Sequence, residues 1–126
     1  MNRSCMPPFS ARRQQVAISL EELGCREVEG GLCTDWVWEC RICGVTVYVE
    51  IPSYWPLPKG PGEPSALKMW MPSNRIPSCW FHLLGERKVI GGKTAQLVCV
   101  DADPETKPAQ LLLDFKRRFR ELCGRC

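Results

Sequence analysis

The stretch WVWECRICGVTVYVEIP, residues 36–52, decides how this chain folds. Trp36, Trp38, Cys40 and Ile42 alternate with Val37, Glu39 and Arg41, which is the two-residue period of a strand with one buried face. Beyond Cys43-Gly44 the alternation resumes, with Val45, Val47, Val49 and Ile51 set against Thr46, Tyr48 and Glu50. A two-residue break ending in glycine between two such runs predicts an antiparallel hairpin. Pro52 stops the second strand, because proline has no N–H to give to a ladder.

Working outward, Ser10 is placed to cap a helix over 10–23, in which Val16, Ala17, Leu20 and Leu23 recur at helical spacing and Gly24 ends the run. Gly30-Gly31 reads as a turn. Downstream, PSYWPLPKGPGEP (52–64) is too rich in proline and glycine to be anything but an extended loop. A third strand is expected over 66–71, a fourth short element over 80–84, and a strand over 94–100 after a turn at Gly91-Gly92. The last element is an amphipathic helix over 109–122, with Leu112, Phe115, Phe119 and Leu122 on one stripe and Lys116, Arg117, Arg118 and Arg120 between them. The expected fold is α+β: an N-terminal helix, an antiparallel meander of about four strands, and a C-terminal amphipathic helix packed on the sheet. It forms one domain, 10–126, behind a flexible leader, 1–9.

The 126 residues suit a single domain, and 44% hydrophobic with 25% charged residues excludes disorder over the whole chain. A net charge of +3 is too mild to announce a nucleic-acid binder. No apolar run approaches the roughly 18 residues of a membrane span, so no membrane partner is expected. Nine cysteines are an odd number, and the first residues carry no apolar core of an export signal. Those two features predict reduced cysteines and a cytoplasmic location.

The cysteines offer chemistry. Cys40 and Cys43 flank a hairpin turn and Cys123 and Cys126 sit at the end of the last helix, so two Cys-x-x-Cys pairs could close a tetrahedral zinc site. Cys25 and Cys33 are the competing ligands. The run 116–120 suits phosphates or an acidic protein surface. The aromatic group Trp36, Trp38, Tyr54, Trp55 and Trp70 suits core packing, base stacking or, for Tyr54-Trp55 in a proline loop, a protein contact. Gly91-Gly92-Lys93-Thr94 ends like a phosphate-binding loop, but Arg87 stands where that motif needs a glycine, and a strand follows rather than a helix. Cys99, two residues before Asp101, is the candidate nucleophile, and His82, the only histidine, is the only imidazole that could serve it.

In order, these pieces resemble the ubiquitin-conjugating enzyme fold and its noncatalytic variants. The matching segments are Val47 to Pro58 (VYVEIPSYWPLP), leading into a proline loop, and Gly91-Gly92 followed by Leu97-Val98-Cys99-Val100-Asp101 before a Pro108-led helix. The resemblance spans about 10–122 and implies that Cys99 takes the position of the thioester-forming cysteine. The family's His-Pro-Asn tripeptide has no counterpart, since His82 is followed by Leu83, and this favours a noncatalytic, partner-binding relative. The expected function is therefore a small intracellular protein-binding or adaptor module, with Tyr54, Trp55 and Trp70 forming one contact and Lys116, Arg117 and Arg120 a second. Two alternatives stand beside it. One is a cysteine-dependent enzyme with thioester or thiol chemistry at Cys99. The other is a zinc-stabilised nucleic-acid-binding module built on Cys40, Cys43, Cys123 and Cys126.

Overall fold

A computed structural model of the chain describes residues 9–58, 60–80 and 85–126. The elements run α1 (Phe9–Glu22), β1 (Arg26–Glu29), β2 (Trp36–Ile42), β3 (Val45–Ile51), β4 (Leu67–Pro72), a 3-10 turn (Ser73–Arg75), β5 (Arg87–Ile90), β6 (Lys93–Asp101) and α2 (Pro108–Cys123). This is the expected α+β arrangement of two terminal helices on an antiparallel sheet. The sheet has six strands in the order β1-β2-β3-β4-β6-β5. The two unforeseen strands, β1 and β5, are four residues each and lie at the edges. Short edge strands carry too few residues to display a period. The expected leader (1–9) lies almost wholly outside the described residues, as does most of the short element at 80–84.

The quoted hairpin pairs in full register from Trp36 opposite Ile51 to Ile42 opposite Val45. Cys43 and Gly44 make the turn with φ of 57° and 76°. Two consecutive left-handed residues are what a two-residue hairpin turn needs to match the strand twist, and glycine supplies the second without a Cβ penalty.

One face of the sheet packs on the helices. Trp38, Cys40, Val47, Val49, Leu67, Met69 and Met71 meet Val16, Ala17 and Leu20 of α1 and Leu111, Phe115 and Phe119 of α2. Trp80 stacks on Phe115 and Phe119 with ring centroids 5.0 and 6.0 Å apart. Large rings buried in offset contact are the strongest single packing contributions available to a chain this size.

The other face is not flat and solvated. Val37, Tyr48, Trp70, Ile90 and Ala95 form a second buried cluster, with Val28 and Leu97 at its margin. Alternation alone would turn Tyr48 and Glu50 to water; both are buried. The reason is that the sheet curls. Edge strands β1 and β5 converge through side chains: the Gly91 N–H donates to the Glu29 carboxylate at 3.3 Å, and Val28 approaches Gly91 closely. A bulge in β6 between its pairings with Met69 and Trp70 accommodates the bend. The curl has two mouths. One is formed by the ends of β3 and the starts of β4 and β5, the other by the ends of β2 and β4 and the starts of β1, β3 and β6.

Arg13 fastens α1 to the loops beneath the first mouth. It is fully buried, on the same helix face as Val16, Ala17 and Leu20. Its guanidinium donates to the carbonyls of Leu32 (2.6 Å), Thr34 and Pro52, with longer contacts to Gly31, Ile51 and Trp55. Burial pulls its pKa below the ordinary arginine value to about 10, partly offset by Asp35, so the group is charged at neutral pH.

Candidate functional site

The cysteines correct two expectations. Cys25 is bonded to Cys40, Cys43 to Cys126 and Cys79 to Cys123. Disulfides are the chemistry of an oxidising, extracellular-type environment, so the cytoplasmic location inferred from the odd count and the N-terminus is overturned. The four sulfurs expected to hold zinc go to three different bridges instead of converging, and a disulfide sulfur is not the thiolate that zinc requires. Among the described residues no group of three or more His, Cys, Asp or Glu is arranged to hold a metal ion. Cys33, the other competing ligand, is also disulfide-bonded.

Among the described residues the free cysteine is Cys99. It stands on β6 opposite Met69, with its side chain toward the helices, at the base of a groove of about 410 Å³ between β6 and α2. Burial pushes its thiol above the ordinary value of 9.0; Arg118 pulls it down and Asp114 pushes it up. A nucleophilic cysteine needs the opposite, a depressed pKa and an adjacent base. His82, the imidazole considered for that role, lies outside the described residues.

Three aromatic residues were expected to form a contact surface, and the structure separates them. Trp55 has no exposed surface: it belongs to the helix-side core, with the Arg12 guanidinium 5.3 Å from its ring. Its place in a surface loop hid this, because the loop folds back under α1 and is held there by Arg13. Tyr54 and Trp70 do come together, lining the first mouth, a cavity of about 220 Å³. Trp70 is itself buried, and its indole N–H donates to Glu50 at 3.1 Å. Lys88 closes the network, pairing with the buried Glu50 and, at 3.4 Å, with Asp35. Burial alone would lower the Lys88 pKa, but Glu50 and Asp35 raise it above 10.5. Burial raises Asp35, and the Ser53 N–H at 2.7 Å together with Lys88 outweighs that, so its pKa lies below 3.8. This mouth carries Asp35, Glu50 and Glu86 against Lys68, Arg87 and Lys88, so its charges balance.

The basic residues of α2 are arranged as the periodicity implied. Leu111, Phe115 and Phe119 enter the core, and Lys116, Arg117 and Arg120 are exposed. Leu113, 57% exposed, lies on the same outward face at helical spacing from them. Arg117 approaches Asp114 at 3.7 Å, and Arg118 lies 5.8 Å over the Trp80 ring. Gly124, at φ 68°, ends the helix by donating its N–H to the Arg120 carbonyl at 2.9 Å. The bridges Cys79–Cys123 and Cys43–Cys126 pin this end of α2 to the segment before Trp80 and to the hairpin tip. The sequence showed the basic stripe; the exposed leucine within it and the double tether were missed, the second because no local spacing reveals a pairing across 83 residues.

No protein-family model, curated protein or solved structure matches this chain. Among the described residues no helix is long and apolar enough to cross a membrane.

Proposed function

We propose that the chain is a disulfide-stapled protein-binding module of an oxidising compartment, and that the outward face of α2 docks an acidic protein surface. The observation that carries this reading is a helix whose far end is clamped by two disulfides while Leu113, Lys116, Arg117 and Arg120 face solvent together. A contact surface already held rigid loses little conformational freedom on binding, so more of its contact energy appears as affinity. An apolar residue ringed by cations fits a partner that offers a small apolar recess in an acidic rim. The Cys99 thiol, raised by burial, gives an enzymatic reading less support.

The test is capture from a secreted-protein mixture on the immobilised oxidised chain, with cross-links mapped by mass spectrometry. The expected result is an acidic partner cross-linked to 113–120 and lost when Lys116→Glu and Arg120→Glu are combined. Three results would overturn the reading: cross-links mapping elsewhere, retention by the charge-reversed variant, or saturable binding of a short DNA duplex at the same face.

A further inference from the structure

The second mouth of the curl differs from the first in one respect that decides its chemistry. It encloses about 270 Å³ and is lined by Arg26, Arg41, Arg75 and Lys93 against a single carboxylate, Glu39. That carboxylate is already taken, since Arg26 pairs with it at 2.8 Å. The side chains of Arg75 and Lys93 have no hydrogen bond or ion pair with any described residue. Arg41 is oriented by its own hairpin, donating to the Gly44 carbonyl at 3.0 Å and to the Thr46 hydroxyl at 3.4 Å, which leaves most of its five donors unused. Tyr48 lines the same cavity. Two mouths of one sheet thus contrast: one has its charges matched internally, and the other converges three uncompensated cations on a recess.

We propose that this second mouth is a binding site for a tetrahedral oxyanion, a phosphate or sulfate group, held by Arg41, Arg75 and Lys93. A guanidinium matches two oxygens of such a group in one plane, and the ammonium supplies a point charge from the opposite wall. Like charges facing a shared recess repel one another, and an anion between them removes that repulsion, so the site gains on occupation. Mouths of curled and closed sheets are recurrent ligand sites, because strands rigidly position the side chains at their ends. None of these residues belongs to the outward face of α2, so this site and the protein-docking reading stand or fall separately.

The experiment is titration of the ¹⁵N-labelled, fully oxidised chain with inorganic phosphate, inorganic sulfate, a sulfated disaccharide and, as control, sodium chloride at matched ionic strength. Saturable shifts at the amides of Thr46, Asn74 and Lys93 with phosphate or sulfate, and not with chloride, are expected. Tighter binding of the disaccharide than of sulfate would identify a sulfated glycan as the source, and equal or weaker binding a free or phosphorylated small molecule. Arg75→Gln and Lys93→Gln each weaken binding about tenfold, the loss of one charge-assisted contact. Both residues are exposed, so thermal unfolding of these variants does not fall below the wild-type value. Shifts spread over 116–120 instead, an equal response to chloride, or unchanged affinity in both variants would overturn the assignment.

Discussion

Replacing Arg13 by methionine is the sharpest test of how this fold is held. The side chain is fully buried, and its guanidinium closes three short hydrogen bonds to the carbonyls of Leu32, Thr34 and Pro52, joining α1 to two loops far apart in sequence. Hydrogen bonds from a charged donor each contribute about 1.5–3 kcal/mol, giving a gross loss of roughly 4.5–9 kcal/mol. Relief from burying an ion offsets part of this, because desolvating a charge costs several kcal/mol. The net loss should be about 3–5 kcal/mol, a large share of the roughly 5–15 kcal/mol that stabilises an ordinary domain. Lysine keeps the charge but cannot fork toward three carbonyls, so Arg13→Lys should fall between wild type and Arg13→Met. Urea unfolding of the oxidised protein, followed by tryptophan fluorescence, measures all three. Hydrogen exchange at residues 31–34 and 51–55 should accelerate in the methionine variant ahead of the rest. A loss below about 1 kcal/mol for Arg13→Met would refute the reasoning, because it would place this site among the buried charges that an apolar isostere replaces at no cost.

Three further outcomes follow from the same structure. Removing Cys43–Cys126 as an alanine pair should cost about 4 kcal/mol and removing Cys25–Cys40 about 3 kcal/mol, since with Cys79–Cys123 intact the first closes a loop of about 40 residues and the second one of 15; the reverse order in urea unfolding would contradict the chain-entropy account. The Asp35 carboxyl, depressed below 3.8 in the fold, contributes stability that is present above its unfolded pKa and lost as pH falls through the folded one. Lys88, raised above 10.5, contributes stability that is complete below 10.5 and lost as pH rises through its folded pKa. Asp35→Asn should therefore flatten the acid limb of a stability–pH curve and Lys88→Met the alkaline limb, and unchanged limbs would dissolve the proposed network. Iodoacetamide should alkylate native Cys99 far more slowly at pH 7.5 than the unfolded chain, with the rate climbing only above 9; equal rates would mean an exposed, unperturbed thiol.

Much of the fold was legible because its longest elements carry unambiguous periods. The hairpin 36–51 alternates without interruption on its helix-facing side, and α2 repeats apolar residues at three- and four-residue steps. The inner face was not legible, for a physical reason. Tyr48 and Glu50 look like outward residues of a half-exposed strand, and only the meeting of β1 and β5, set by side chains such as Glu29 and Val28, encloses them. Edge convergence depends on the curl of the whole sheet, and no local window records it. Trp55 misled for a related reason: a proline-rich loop is expected at the surface, yet this one is drawn under α1 by an arginine 42 positions earlier.

The candidate sites divide along the same line. The exposed stripe Lys116, Arg117 and Arg120 is a property of one helix, so spacing alone reveals it. The cationic mouth is assembled from Arg41 on β2, Arg75 on the 3-10 turn and Lys93 on β6, three residues that no motif links. The cysteines show how one local pattern can serve two chemistries. Cys40-x-x-Cys43 has the spacing of a zinc knuckle, but the register of β2 turns Cys40 into the core beside Cys25, while the turn at Cys43 leaves its sulfur at the hairpin tip. The two sulfurs therefore leave the motif in different directions, one toward the end of α1 and one toward the end of α2. A metal ligand pair must converge and a pair of staples must diverge, so the strand register, not the spacing, assigns the chemistry.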